Sequence, residues 1–109
     1  MPQSHKVLGQ SNPSAATLTT LYTVPSSTQT VCSTITACNT SSTSATYRIA
    51  VRPAGAAVAT QHYIVYDASL PANDTVTLTL GVAMATTDVI SVYASASSVA
   101  FSAFGVEVT

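Results

Sequence analysis

The stretch Thr75-Val76-Thr77-Leu78-Thr79-Leu80 decides the fold class, because hydroxyl and apolar side chains alternate along it with a period of two. Successive side chains of a strand point to opposite faces of a sheet, so the apolar residues share one face and the threonines share the other. Val, Thr, Tyr and Ile, which favour strands, dominate similar segments before and after it. The pattern predicts a chain of half-buried strands.

Turn signals rich in Pro, Gly, Asn, Asp and Ser separate these segments. Strands are predicted at residues 5–8, 18–24, 29–38, 45–52, 62–66, 75–80, 89–94 and 99–108. Without an alternation of strands and long helices, this spacing predicts an all-β fold, an antiparallel β-sandwich of jelly-roll or immunoglobulin-like type. Residues 1–12 are expected to form a flexible N-terminal arm, and residues 13–109 a single domain. Residues 15–22 also permit a helix, but their β-branched threonines favour a strand.

Strand parity predicts which side chains form the core. The predicted core residues are Leu21, Val24, Val31, Ile35, Tyr47, Ile49, Val51, Ile64, Tyr66, Val76, Leu78, Leu80, Val89, Val92, Phe101, Phe104 and Val106. The last strand changes phase between Ala103 and Phe104, and Gly105 beside this change predicts a β-bulge there.

Charge is scarce: the 109 residues include three Lys/Arg and four Asp/Glu, where about a quarter of residues are usually charged. The chain has no basic stripe, which argues against nucleic-acid binding and against an anionic membrane surface. No apolar window reaches the roughly 18 residues of a membrane span, and residues 1–10 do not have the pattern of a signal peptide. Folding in a cytoplasm is therefore expected. Hydroxyl side chains replace the charges, and they cost little to bury against another protein surface.

The candidate chemical groups predict no enzyme, no cofactor and no metal site. His62, Asp67 and a serine could be assembled into a hydrolytic set, but no G-x-S-x-G motif is present. Cys32 and Cys38, on one extended strand, would lie about 20 Å apart at roughly 3.3 Å per residue, too far for a disulfide. Two reduced thiols are expected, without the spacing of a metal site.

Several polar residues admit two interpretations. Asp67, Asp74 and Asp88 could form an acid/base pair or bind Ca²⁺, but turn capping explains them more simply. Arg48 and Arg52 share one strand face and are expected to be exposed, either in solvent or paired with acidic groups of a partner. With His62 and Tyr63 they form the predicted interface set.

Several short passages resemble small virion structural proteins of tailed bacteriophages. The resemblance extends from about Lys6 to the C-terminus and rests on Leu21-Tyr22-Thr23-Val24-Pro25, Cys38-Asn39, Tyr47-Arg48-Ile49-Ala50-Val51, Asp88-Val89-Ile90-Ser91-Val92 and Gly105-Val106-Glu107. Ser26-Ser27 and Cys32 depart from the pattern. The resemblance implies a one-domain β-sandwich component of the virion, made in the host cytoplasm.

The resemblance and the uncharged surface lead to two functional expectations. The first is a capsid decoration (cement) protein, a homotrimer that binds the major capsid protein on the outer face of the assembled head, with no nucleic-acid or membrane partner. The alternative is a tail, neck or fibre-associated module, either structural or an adhesin for the host surface or a carbohydrate. At least two exposed tyrosines beside an acidic residue in a groove would favour adhesion.

Overall fold

A computed structural model describes residues 3–109, which form eight antiparallel strands. The strands are β1 Gln3–Ser11, β2 Thr19–Thr23, β3 Gln29–Asn39, β4 Ala45–Arg52, β5 Tyr63–Leu70, β6 Thr75–Met84, β7 Val89–Ala94 and β8 Val99–Val108. Two single 3-10 turns, Pro53–Gly55 and Thr60–His62, lie between β4 and β5. The predicted all-β sandwich is confirmed, and residues 15–22 contribute a strand rather than a helix.

The strands form two four-stranded sheets, and their order identifies the sandwich as a jelly roll. The first sheet has the order β1-β8-β3-β6 and the second has the order β2-β7-β4-β5. β1 pairs with β8, β2 with β7, β3 with β6, and β4 with β5. The chain therefore folds as one long hairpin, with its turn between β4 and β5, that is wound into two sheets. This is the jelly-roll alternative of the two predicted sandwich types.

The core lies between the two sheets and consists of small aliphatic side chains around one phenylalanine. Ile35, Ile49, Val92 and Phe101 are almost completely buried, and the Phe101 and Tyr47 rings pack with centroids 6.3 Å apart. The core also buries residues that the parity argument omitted: Leu8, Tyr22, Cys32, Leu70, Met84, Ile90 and Val99.

Strand β8 keeps one phase along its whole length, so the predicted bulge at Gly105 is wrong. Val99, Phe101 and Ala103 face the core, as does Glu107, and Phe104 lies on the outer face. The extra residues lie in the two neighbouring strands, at Leu8 of β1 and Ser33 of β3. A Cβ on Gly105 would collide with the Val31 carbonyl oxygen, so close backbone contact explains this glycine.

Four residues assigned to the core by parity are exposed: Val31, Ile64, Tyr66 and Phe104. Val31 alternates with the buried residues Thr30 and Cys32 and therefore faces outward, so the parity argument placed Val31 on the wrong face of β3. Ile64 and Tyr66 were misassigned because β5 contains two irregularities that shift its phase. Val106 is only half-buried, on the same outer face as Phe104.

The segment expected to be an N-terminal arm contributes a strand to this same molecule. Gln3 to Ser11 pair with β8 from Val108 to Phe101, and Lys6 forms an ion pair with Glu107 at 2.9 Å. Residues 1–2 of the expected arm lie outside the described residues. The segment is a strand rather than an arm because one edge of β8 would otherwise have unpaired backbone N–H and C=O groups. The extended N-terminal segment pairs with these groups.

Turn residues tie the loops together at both ends of the sandwich. At one end, the buried Asn39 side chain donates to the carbonyls of Thr43, Leu70 and Pro71 and accepts from the Ser41 amide and the Ser98 hydroxyl. At the other end, Asp88 accepts from the amides of Ala54 and Ala85. Asp74 accepts from the Thr75 amide. The turn-capping interpretation is thus confirmed for Asp74 and Asp88.

Candidate functional site

The outer face of the second sheet carries a group of aromatic and charged side chains around Arg48. We call Arg48, Tyr63, Tyr66, Asp67 and Tyr93 the tyrosine cluster. The Arg48 guanidinium carbon lies 4.3 Å from the centre of the Tyr66 ring and 4.1 Å from that of Tyr93, within the range of cation–π attraction. Its Nε and Nη2 donate to the two Asp67 oxygens at 2.6 and 3.2 Å. Tyr63 packs edge-to-face on Tyr66, with ring centres 4.9 Å apart.

The register of β5 explains why these side chains meet. Tyr47 pairs with Ala68 and Ile49 pairs with Val65, so both Tyr66 and Asp67 lie opposite Arg48. On its other side, Arg48 pairs with Tyr93 of β7. Two residues opposite one is the arrangement of a β-bulge, which redirects side chains. Asp67 adopts a left-handed backbone conformation, with φ at 52°, and Asp tolerates this conformation better than most residues.

Hydrogen bonding in the cluster leaves its aromatic surface open. The Asp67 carboxylate raises the pKa of the Arg48 guanidinium through their hydrogen bonds. The opposite charges of this ion pair cancel, so the cluster has no net charge at neutral pH. Tyr66 is 60% exposed. Thr60, Tyr63 and Tyr66 line a cleft of about 510 Å³ beside the ion pair. The cluster therefore combines an open aromatic surface with an exposed carboxylate.

The structure brings together two of the four predicted interface residues, Arg48 and Tyr63. Arg52 lies on the same face, but its side chain binds the Ser91 hydroxyl and the Ala56 carbonyl. His62 accepts a hydrogen bond from the Ala59 amide through Nδ1 at 3.0 Å, which closes the turn before β5. Of the two alternatives for Arg48, solvent or an acidic group of a partner, the structure shows neither: its guanidinium binds Asp67 of the same chain.

Sequence reasoning missed Tyr66, Asp67 and Tyr93 as members of the site. Tyr66 had been assigned to the core and Asp67 to a turn. Tyr93 was missed because its contact with Arg48 depends on the pairing of β4 with β7, which the sequence does not show. The bulge at Tyr66 and Asp67 leaves no comparable sequence signal.

The outer face of the first sheet carries a second surface, which is apolar. We call Val7, Val31, Phe104 and Val106 the apolar patch. Val7 is 48% exposed, Val31 41% and Phe104 36%. With His5, Lys6, Ser33 and Gly105 they line a groove of about 600 Å³. The patch spans three neighbouring strands, because the bulges of β1 and β3 flank Phe104.

Rows of hydroxyl side chains lie beyond the patch on the same outer face. Thr79 of β6 pairs with Thr34 of β3, and Thr77 pairs with Thr36. Ser102 of β8 lies opposite Thr36 on its other side. This half of the sheet is polar but has no charged residue at these positions, so it can be dehydrated at low cost against a surface that offers hydrogen bonds.

A buried carboxylate joins the two sheets at one edge of the sandwich. Tyr22 of β2 donates to Glu107 of β8 at 2.5 Å and shares a hydrogen bond with Thr30 at 2.9 Å. Burial, with a further contribution from Glu107, raises the pKa of Tyr22 to about 12. The hydrogen bonds from Tyr22 and Lys6 lower the pKa of Glu107. This network is a structural link between β1, β2, β3 and β8.

Groups suited to metal binding do not cluster within residues 3–109: no three His, Cys, Asp or Glu side chains lie close enough to hold an ion. Asp67 binds Arg48 rather than His62, so these two members of the hypothetical hydrolytic set are not hydrogen-bonded to each other. Cys32 is buried and Cys38 half-buried, and both are free thiols. In the same range, the structure contains no helix with the length and apolarity to cross a membrane.

Comparison with models of protein families, with curated proteins and with solved structures gave no match. Functional inference therefore rests on the two outer surfaces and on the chemistry of their residues.

Proposed function

We propose that this chain is a virion structural protein of a tailed bacteriophage, and specifically a decoration protein that binds the outer face of the assembled head. The observation that carries the proposal is the apolar patch. Its exposed side chains, Val7, Val31 and Phe104, are contiguous on a sheet face that also carries rows of threonine. Contiguous apolar patches on a soluble domain mark interaction surfaces.

The chemistry of this face suits a large and permanent protein partner. Apolar side chains supply the driving force for association, and the neighbouring threonine rows add polar contact area without the high cost of dehydrating charges. A protein that binds only the assembled shell stabilises that shell by mass action. Jelly rolls occur in viral capsid and lectin domains, an analogy of fold that supports the proposal without deciding the function.

The proposal is tested by binding to heads that lack the protein. Phe104→Asp places a charge in the centre of the patch, and we expect it to weaken co-sedimentation with heads at least about ten-fold, as is typical for a central interface residue. Val7→Asp tests a second position. Ser69→Asp adds the same charge to the exposed outer face of the other sheet and is the matched control. If both patch variants remain folded by circular dichroism and still bind like the control, docking through the patch is refuted.

The oligomeric state and copy number test the proposed assembly. We expect the isolated protein to sediment as a homotrimer, and purified particles to contain hundreds of copies on the head. A monomer at every concentration would refute the trimer. A location confined to the tail, with a few dozen copies or fewer, would refute decoration.

A second candidate function, adhesion from a tail or fibre position, is favoured by a separate observation. Tyr66 is exposed and Tyr63 half-buried in one cleft, and the exposed Asp67 carboxylate follows Tyr66 in the same strand. This arrangement supplies one of the two exposed tyrosines expected of an adhesive surface. The cluster and the apolar patch lie on the outer faces of different sheets, so docking through one leaves the other accessible. Binding of fluorescent protein to host cells, and its loss in Tyr66→Ala, tests this function. Absence of cell binding by the folded wild-type protein would refute it.

A further inference from the structure

We propose that the cleft lined by Thr60, Tyr63 and Tyr66, together with the Asp67 carboxylate, is a binding site for a neutral saccharide. The proposal rests on the second candidate function, adhesion, and names the class of ligand. It does not depend on docking to heads.

The charge state of the cluster selects a neutral ligand. Arg48 uses Nε and Nη2 to bind both Asp67 oxygens, and its guanidinium also lies against the Tyr66 and Tyr93 rings. A phosphate or sulfate could make a forked contact with Arg48 only by displacing Asp67. Neither an anion nor a cation therefore has an unpaired opposite charge to bind in this cluster.

The exposed groups match the two kinds of surface that a pyranose ring presents. One side of the ring displays C–H groups, which pack on an aromatic surface. Tyr66 is the most exposed large hydrophobic side chain of the described residues, and the part of its ring that Arg48 and Tyr63 do not cover offers this surface. The ring edge displays hydroxyl groups, which both donate and accept hydrogen bonds. The Asp67 side chain, 43% exposed and next to Tyr66 in the strand, is an acceptor for them. Thr60 and Tyr63, which line the cleft with Tyr66, each carry a hydroxyl that can donate or accept.

The position of these groups is fixed before a ligand arrives. The bulge in β5 holds Tyr66 and Asp67 opposite Arg48, and Asp67 keeps a left-handed backbone conformation there. The turn that supplies Thr60 is closed by the hydrogen bond from the Ala59 amide to His62. Such preorganisation reduces the entropy lost on binding. An uncommon backbone conformation under an exposed aromatic surface is typical of functional positions.

The test is a titration of the full-length, isotopically labelled protein with neutral oligosaccharides, using maltotriose, lactose and chitotriose as probes, monitored by amide chemical shifts. We expect at least one probe to shift the resonances of residues 60–67, with a dissociation constant of about 0.1–10 mM, as expected for a small ligand with few contacts. Tyr66→Ala should weaken that binding at least about ten-fold.

Two further variants separate stacking from general disruption. Tyr66→Phe keeps the aromatic face and should stay within about three-fold of the wild type, since the ring supplies most of the contact. Val31→Ala removes an exposed apolar side chain from the opposite outer face and should leave saccharide binding unchanged.

The proposal is overturned if no probe shifts the amide resonances of residues 60–67 at tens of millimolar, or if Tyr66→Ala binds the sugar like the wild type. It is also overturned if a peptide, single-stranded DNA or dextran sulfate binds this cleft more tightly than every sugar tested. Its failure is distinguishable from failure of the adhesion function. Tyr66-dependent binding to cells without sugar binding would refute only the saccharide. Sugar binding without cell binding would refute only adhesion.

Discussion

The buried hydrogen bond between Tyr22 and Glu107 provides the strongest prediction about stability. Tyr22→Phe removes a hydroxyl that donates to Glu107 at 2.5 Å and is bonded to Thr30 at 2.9 Å. A hydrogen bond to a charged group contributes about 1.5–3 kcal/mol and a neutral one about 1 kcal/mol. Because Lys6 still pairs with the carboxylate, we expect the free energy of unfolding to fall by about 2–4 kcal/mol.

The assay is equilibrium denaturation at neutral pH, supported by thermal melting, where about 5 °C per kcal/mol gives a fall in Tm of about 10–20 °C. Tyr47→Phe is the matched control, because Tyr47 is also buried and its pKa is raised by burial alone. A double-mutant cycle with Glu107→Gln should give a coupling energy of at least about 1 kcal/mol. A loss in Tyr22→Phe no larger than in the control, or no coupling, would refute the network's stabilising role.

The pKa shifts fix the pH dependence of this effect. The pKa of Glu107 is lowered in the folded state, so its stabilisation is complete above the unfolded value of about 4.3 and is lost as the pH falls through the folded-state pKa. The gap between wild type and Tyr22→Phe should therefore narrow in acid. The pKa of Tyr22 is raised to about 12, so its contribution is complete below about pH 10 and disappears as the pH rises towards 12.

Three other predictions follow from buried contacts. Asn39→Ala should lower the free energy of unfolding by about 2–4 kcal/mol, because the substitution leaves several loop carbonyls and an amide unpaired. Chemical denaturation measures this loss, and a loss under about 1 kcal/mol would contradict the reasoning. Gly105→Ala should lower the free energy of unfolding by about 1–3 kcal/mol, because the added Cβ collides with backbone atoms. Gly81→Ala, with no atom within 4 Å of the added carbon, should leave stability nearly unchanged. Equal melting temperatures of the two variants would contradict this prediction. A thiol reagent should modify the half-buried Cys38 in the native protein. Cys32 is buried, and burial raises its pKa, so it should react only after unfolding. Mass spectrometry that finds Cys32 modified first in the native protein would contradict this order.

Local alternation predicted the positions of the strands, and it was most accurate for β4, β7 and β8, the three strands that contain no extra residue in their pairing. Residues 45–52, 89–94 and 99–108 were predicted with the bounds that the structure shows. The jelly-roll order was not derivable, since it depends on which distant strands pair. Parity assignment failed where a strand contains or adjoins an extra residue, as at Val31, Tyr66 and Phe104.

The candidate site was only partly predictable for the same reason. Arg48 lies on a regular strand, so its exposed face could be assigned from its neighbours Tyr47 and Ile49. Asp67 reaches Arg48 only through the bulge of β5, and an inserted residue has no periodic signature. The tyrosine cluster is therefore a product of irregular pairing, and only coordinates reveal it.

The pairing of β1 with β8 has a consequence for synthesis on the ribosome. Gln3 pairs with Val108, so β1 is translated about a hundred residues before its partner β8. At about 5–20 residues per second, the interval between them is roughly 5–20 s. During this interval the nascent chain holds an unpaired β1 and the incomplete edge of β3. Chaperone protection of the nascent chain would therefore matter more for this protein than for one assembled from neighbouring hairpins.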